Sequence, residues 1–312
     1  PTACGIVDVG GTSTLIRYEM CFSNFHEAEI ALNCIESALS RFELGVNPSK
    51  TIIRKLPIEL EEYWARELRI FSIRNSNAQM GDVISYFSRA FELTNEYPGK
   101  PILRYAISRF RSSVIKKEIK RSVWPTLQDL MLECMINEPG TIDYVLDIFM
   151  RFSNNNYTIK TKQLEELLNY QIINHAPLGH GSEVAWSLWG SILFGLHLYP
   201  EVAKLISETE DSVVALLALD AESHGLFQEP IEKDFWSQFM NREALYGEQW
   251  LLSYEANIKK WIPECGRDHV KGDSRFNYLK KNGIQFYNSS RAAKIATYDT
   301  VSAHGSYYNI SN

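Results

Sequence analysis

The sequence predicts a mostly α-helical protein that opens with a short α/β segment, and three observations carry that expectation. Beyond Pro57, apolar residues recur every three to four positions through most of the chain, which is the period of an α-helix. Almost no β signal interrupts them between residues 57 and 280. Ahead of Pro57 the pattern differs, with a Gly- and Thr-dense start, one amphipathic helix and the β-branched run Thr51 to Leu56.

Residues 1–16 read as loop and strand pieces, with Gly10 and Gly11 marking a turn or a close backbone approach. From His26 to Phe42, the apolar residues Ala28, Leu32, Ile35, Leu39 and Phe42 share one helical face, and Glu27, Glu29, Glu36 and Arg41 lie on others. Gly45 is expected to close this helix and Asn47-Pro48 to end it. Thr51 to Leu56 reads as a strand. Helices are expected over Glu59 to Ile70, Gln79 to Tyr97, Lys100 to Val123, Thr126 to Met135 and Ile142 to Phe152. They continue over Thr161 to His175, Ser182 to Leu198, Pro200 to Glu208, Ser212 to His224 and Glu232 to Lys259. Pro98-Gly99, Pro125, Pro139-Gly140 and the polar loop Ser153 to Asn156 separate them. Short connections between such helices suggest stacked pairs of the HEAT-like kind, although no clean repeat of roughly 34 or 40 residues is present. Trp186, Trp189, Leu193 and Leu196 recur at helical spacing and are expected in the core. The tail from Gly283 is rich in Tyr, Ser and Asn, and its end is expected to be poorly ordered.

The 312 residues are 45% apolar and 22% charged, enough to bury a sizeable core in one large or two ordinary domains. A net charge of −6 excludes a uniformly basic surface but leaves room for a local basic face. Five cysteines, scattered and without a CxxC pair, support neither a disulfide framework nor a zinc ribbon, and point to a reducing cytoplasm. No apolar run is long enough to span a membrane, and no signal peptide follows Pro1. A chain that begins with Pro1 reads as part of a longer polypeptide. The N-x-S/T sequons at Asn156, Asn288 and Asn309 are chance matches in a cytoplasmic protein.

No GxSxG, HExxH or GxxxxGK[ST] motif is present, so serine-hydrolase, zinc-protease and P-loop mechanisms have no foothold. His175, His180, His197 and His224 read as packing or capping residues in or near helices. One local asymmetry stands out. Arg104, Arg109, Arg111, Lys116, Lys117, Lys120 and Arg121 are accompanied by a single acid, Glu118. On a continuous helix Arg109, Lys116 and Lys120 share one face, while Tyr105, Val114 and Ile115 pack inward. Such a face binds nucleic acid by neutralising phosphates and releasing counterions. The plain alternative is a solvated helix surface.

Arg17-Tyr18, the amphipathic helix and Asn47-Pro48-Ser49-Lys50-Thr51 together resemble the end of the palm in bacterial reverse transcriptases. The similarity is greatest to the defence-associated and abortive-infection group, and it continues through Glu61 to Trp64, Phe87 to Leu93, the HGSEVAWSLW block at His180 to Trp189, Ser212 to Leu216 and Gln249 to Ala256. The resemblance implies a partial palm over 1–57, thumb-like helices over 58–125 and a helical C-terminal domain over 126–312. It implies an RNA-directed DNA polymerase of phage defence, using Mg²⁺ or Mn²⁺, with an RNA template or associated RNA, a DNA product, and a second copy or a defence protein as further partner. Lys50 would position the triphosphate or protonate the leaving pyrophosphate. Arg17, Tyr18, Gly10, Gly11 and Asn47 would line the palm, Asp8 would be a remnant metal ligand, and Arg109, Lys116, Lys117, Lys120 and Arg121 would grip the duplex.

The departures are as specific. The paired aspartates that follow Arg-Tyr in the family are missing, since Tyr18 runs directly into Glu19. The flanks fit if about four residues are missing there, and the hundred or so residues expected between the first two palm motifs are also absent. Two-metal phosphoryl transfer needs carboxylates that clamp both ions, and Glu19 alone cannot replace that pair. Asp8 has the competing reading of an exposed loop residue. An inactive shortened paralogue, an engineered deletion and a sequence closed up over omitted stretches all fit. The last best explains clean losses with undisturbed flanks. The rival functions are a non-catalytic RNA-binding scaffold and a plain helical interaction module.

Overall fold

A computed structural model describes residues 3–11, 14–48, 51–55, 62–114, 119–263 and 268–289, with side chains described from Met20 onward except at 113 and 114. The protein is mostly helical, and the chain divides into two compact units, Pro1–Arg66 and Glu67–Asn312.

The first unit holds a three-stranded antiparallel sheet. Strand β1 (Ala3–Gly11) pairs along its length with β2 (Thr14–Phe22) and, on its other edge, with β3 (Ile52–Lys55). Helix α1 (Phe25–Ser40) lies against all three strands. Its N-terminus is fixed by Asn24, whose side chain accepts from the Glu27 backbone N–H at 2.9 Å, while the Glu27 carboxylate returns to the Ser23 N–H at 3.1 Å. Side chains alternate across a strand. The register therefore places Met20, Phe22 and Ile53 on one face, and Cys21, Ile52 and Arg54 on the other. Met20, Phe22 and Ile53 are half-buried while Cys21, Ile52 and Arg54 are exposed. Helix α1 thus covers the face of Met20, Phe22 and Ile53.

Two details of α1 differ from expectation. Glu43, not Gly45, adopts the left-handed conformation that stops the helix, at φ 57°, and the Leu44 N–H returns to the Leu39 carbonyl at 3.1 Å. Phe42 consequently lies beyond the last turn and is 75% exposed instead of facing the sheet.

Helix α2 (Tyr63–Ile70) spans the border between the units. The second unit continues with α3 (Gln79–Glu96), α4 (Ile102–Val114), α5 (Trp124–Asn137), α6 (Ile142–Asn154), α7 (Thr161–His175), α8 (Gly181–Phe194), α9 (Pro200–Ile206) and α10 (Ser212–Ser223). Short α11 (Asp234–Ser237), then α12 (Trp250–Lys259), α13 (His269–Gly272) and α14 (Ser274–Lys281) complete it. Contacts run between alternate helices. One row passes through α4, α6, α8, α10 and α12, and a second through α3, α5, α7 and α9. The core between the rows includes Val184, Leu188, Val202, Leu216, Leu219 and Trp236.

Two long helices expected from the periodicity are broken. Helix α4 is described as far as Val114, and by Ile119 and Lys120 the backbone is no longer helical and takes tertiary partners. The Lys120 N–H donates to Gln79 Oε1 at 2.8 Å, and Tyr157 Oη donates to the Ile119 carbonyl at 2.6 Å. Between Glu232 and Lys259, the Asn241 side chain accepts from the Ala244 N–H at 2.9 Å, an Asx turn that competes with helix formation. Trp186 and Trp189 are half-buried and meet edge to face at 5.4 Å; Val184, Ser187, Leu188, Gly190 and Ser191 face the core. Trp189 packs against the core from the flank of the helix, and Leu196 is buried as expected.

The approach to α3 is clamped by Arg74, whose Nη2 and Nε donate to Asp82 at 2.6 and 2.9 Å. That hydrogen bonding, with the Arg74 backbone N–H and the nearby positive charge, holds the Asp82 carboxyl at about 2, below its usual 3.8. A depressed folded-state value stabilises the fold above the unfolded value, and this contribution is lost as pH falls from about 4 towards 2. Arg74→Ala is expected to flatten the acid limb of the stability profile in that window, with an effect that shrinks in high salt. Urea titrations at a series of pH values check this, and an unchanged limb would show that Asp82 contributes nothing.

Candidate nucleic-acid interface

The hairpin of β1 and β2 holds the palm candidates Asp8, Arg17 and Tyr18 together with Glu19. Asp8 is opposite Arg17 in the β1–β2 register, and Glu19 is opposite Ile6. The reading of Asp8 as a loop residue is corrected, because it belongs to the middle of a paired strand. Tyr18 pairs with Val7. Gly10 pairs with Leu15 and Gly11 with Thr14, at the closed end of the hairpin where the turn was expected.

Strand β2 runs unbroken through Tyr18 and Glu19, each paired in sequence with β1. The chain therefore does not reverse at the position where the family carries its aspartate-bearing turn. The reversal falls between Gly11 and Thr14 instead. The consecutive pairing of Tyr18 with Val7 and of Glu19 with Ile6 leaves no unpaired residue there to form a bulge or a turn.

The turn at Asn47-Pro48 is held by Thr51, whose backbone N–H and Oγ1 both donate to the Asn47 carbonyl, at 3.0 and 2.9 Å. Lys50 lies outside the described residues, as do Lys116 and Lys117. Asp8 and Glu19 are carboxylates, the residue type Mg²⁺ or Mn²⁺ prefers. Arg17 is paired in register with Asp8, however, and two carboxylate positions do not make the clamp that two-metal transfer needs. Among the described residues, no group of three or more His, Cys, Asp or Glu could hold a metal ion.

The basic stretch is divided between two roles. Arg104 pairs with Asp143 at 3.0 Å, lies 4.5 Å over the Tyr144 ring and donates to the Gly140 carbonyl. Arg111 lies over the same ring at 5.4 Å and reaches buried Asp147 at 3.2 Å. These two cations fasten α4 to α6. Arg109 Nη2 donates to the Arg69 carbonyl at 2.8 Å, Lys120 Nζ to Asn77 Oδ1 at 3.0 Å, and Arg121 Nη1 to the Asn156 carbonyl at 2.8 Å over the Tyr157 ring. Lys120 lies outside any helix, so it does not continue the helical face of Arg109 on which the two were expected to align. Carbonyl and amide partners leave the charge on Lys120 and Arg121 unneutralised, so these two residues retain attraction for phosphate. A sequence count of cations cannot separate those that face acids across helices from those that do not.

The HGSEVAWSLW block has a structural rationale. A Cβ at Gly181 would collide with the Asp211 carboxylate, which caps α10 by accepting from the Val213 and Val214 N–H groups at 2.8 and 3.1 Å. A Cβ at Gly190 would come within 2.9 to 3.0 Å of Leu146 and Leu168. His175 and His180 meet Nδ1 to Nδ1 at 2.9 Å, and burial pushes the His175 pKa down, partly opposed by the Glu183 charge. Among the described residues, neither histidine hydrogen-bonds to the acid or nucleophile that catalysis would require.

No known protein-family model matches the chain, and no characterised protein matches it significantly. No helix among the described residues is long and apolar enough to cross a membrane.

Proposed function

We propose that this chain carries the palm end, thumb and helical C-terminal region of a defence-associated bacterial reverse transcriptase. The observation that supports the reading most is the first unit. It is a small antiparallel sheet backed by a helix, in which Asp8 pairs in register with Arg17 and Glu19 follows on the same strand as Arg17, a layout of the kind a polymerase palm uses. The alternating contacts of α3 to α12 fit a HEAT-like array downstream of it. Lys50 follows the Asn47 turn, where it would meet the triphosphate, and Arg109, Lys120 and Arg121 would contact the duplex backbone. Template RNA and product DNA are the partners this reading requires.

A non-catalytic RNA-binding scaffold is the second reading, and the unbroken β2 strand favours it, since this chain lacks the turn that would present paired aspartates. One assay decides between them. The intact polypeptide encoded by the gene is incubated with labelled deoxynucleotides and Mg²⁺ or Mn²⁺, with and without copurified RNA. DNA synthesis that Lys50→Ala reduces at least about tenfold supports the enzyme. Salt-sensitive RNA binding with no incorporation in either metal selects the scaffold.

A further inference from the structure

Beyond the palm and thumb, the last helices carry a second cationic surface. Asp273 is 1% exposed and organises it. Its carboxylate caps α14 by accepting from the Arg275 and Phe276 N–H groups at 3.0 and 3.2 Å, takes Tyr246 Oη at 2.9 Å and holds Arg242 Nε at 3.1 Å. Arg242 is fixed through Nε alone; its terminal nitrogens have no partner among the described residues, and its side chain is 71% exposed. The Tyr246 ring stands edge to face on Phe276 at 5.5 Å and is 54% exposed. Along α14, Arg275, Tyr278 and Lys281 recur every three residues on one exposed side. Neither Arg275 nor Lys281 has a side-chain partner among the described residues, and Tyr278 is 67% exposed.

We propose that Arg242, Tyr246, Arg275, Tyr278 and Lys281 form a binding surface for single-stranded nucleic acid. The uncompensated Arg275 and Lys281, with the exposed end of Arg242 whose charge Asp273 pairs, flank two exposed aromatic rings in a chain whose net charge is −6. Cations match the phosphates, and the rings offer faces for unstacked bases, the combination that sequence-tolerant single-strand binders use. The buried Asp273 holds Arg242 and Tyr246 in place before the strand arrives, so less ordering remains on binding. The surface is independent of any polymerase activity in the palm.

The test is fluorescence anisotropy of the intact chain with labelled oligo(dT), oligo(U) and a duplex of equal length, across a range of salt concentrations. Single strands are expected to bind more tightly than the duplex, with a log–log salt slope near −2 from three phosphate contacts at about 0.7 each. Tyr278→Ala is expected to weaken binding at least about fivefold while Tyr278→Phe retains it. R275E/K281E is expected to weaken it more than tenfold with an unchanged melting temperature. If both single strands bind, the site reads backbone and bases; a preference for oligo(U) assigns RNA as the ligand. Absence of binding, equal binding by the Tyr278→Ala and charge-reversed proteins, or binding to anionic vesicles but not to oligonucleotides would overturn the proposal. Loss of nucleotide incorporation has no bearing on it, because the readout is binding alone.

Discussion

Replacing Asp147 with alanine is expected to cost about 3 kcal/mol of stability, the low end of the range for breaking a buried ion pair. The carboxylate is 4% exposed and faces Arg111 Nε at 3.2 Å and Arg151 Nε at 3.1 Å. Its removal leaves two guanidinium groups on α4 and α6 facing one another in a poorly solvated contact. Arg111 and Arg151 are 14% and 25% exposed at the side chain, and this partial hydration keeps the cost from the upper end. A shift of the melting temperature by roughly 6 to 12 °C should accompany it in a unit of this size. Arg111→Ala should cost less, because Arg151 remains to neutralise Asp147. Urea midpoints for both variants check the order. Equal losses would mean that Arg151 does not compensate Asp147 once Arg111 is gone. A loss below about 1 kcal/mol for Asp147→Ala would mean that the contact contributes little and that Arg111 is available to a phosphate after all.

The second large effect is expected at Gly190, where α8 crosses α6 and α7. Valine there should destabilise the fold by about 2 to 3 kcal/mol, since overpacking a filled core forces strained rotamers or backbone shifts. The first added carbon already lies within 3.0 Å of Leu146 and Leu168, and the two valine methyls have nowhere to go. Alanine is the informative control. It gains up to about 1 kcal/mol of helix propensity over glycine, and the atoms it meets are ends of leucine side chains that can move slightly. Alanine should therefore lie near neutral and valine well below it. A valine variant as stable as the parent would show that α8 is free to move away from its neighbours.

Gly190 and Asp147 also show where sequence reading reaches its end. The helical class, the strand at Ile52–Lys55 and the helix Thr161–His175 follow from local periodicity, because burial on one side imposes a period that survives in the residue order. The amphipathic face of α1 is legible for the same reason at Ala28, Leu32, Ile35 and Leu39. Helix ends near Val114 and Asn241 are not, since long-range and side-chain hydrogen bonds from Gln79, Tyr157 and Asn241 outcompete propensity there.

The candidate site divides along the same line. Residue types named the palm-like segment and the basic stretch, and they placed Gly10 and Gly11 at a turn. Only the strand register paired Asp8 with Arg17 across β1 and β2, because a shift of one residue would give each a different partner. Only helix packing set Arg104 and Arg111 against acids forty or so positions away, and gathered Arg242, Tyr246 and α14 around Asp273. By itself the sequence determined the local periods, and through them the helices and strands. The tertiary structure decided which charges are neutralised and which remain for a ligand, because that depends on partners distant in the chain and on the water that burial removes.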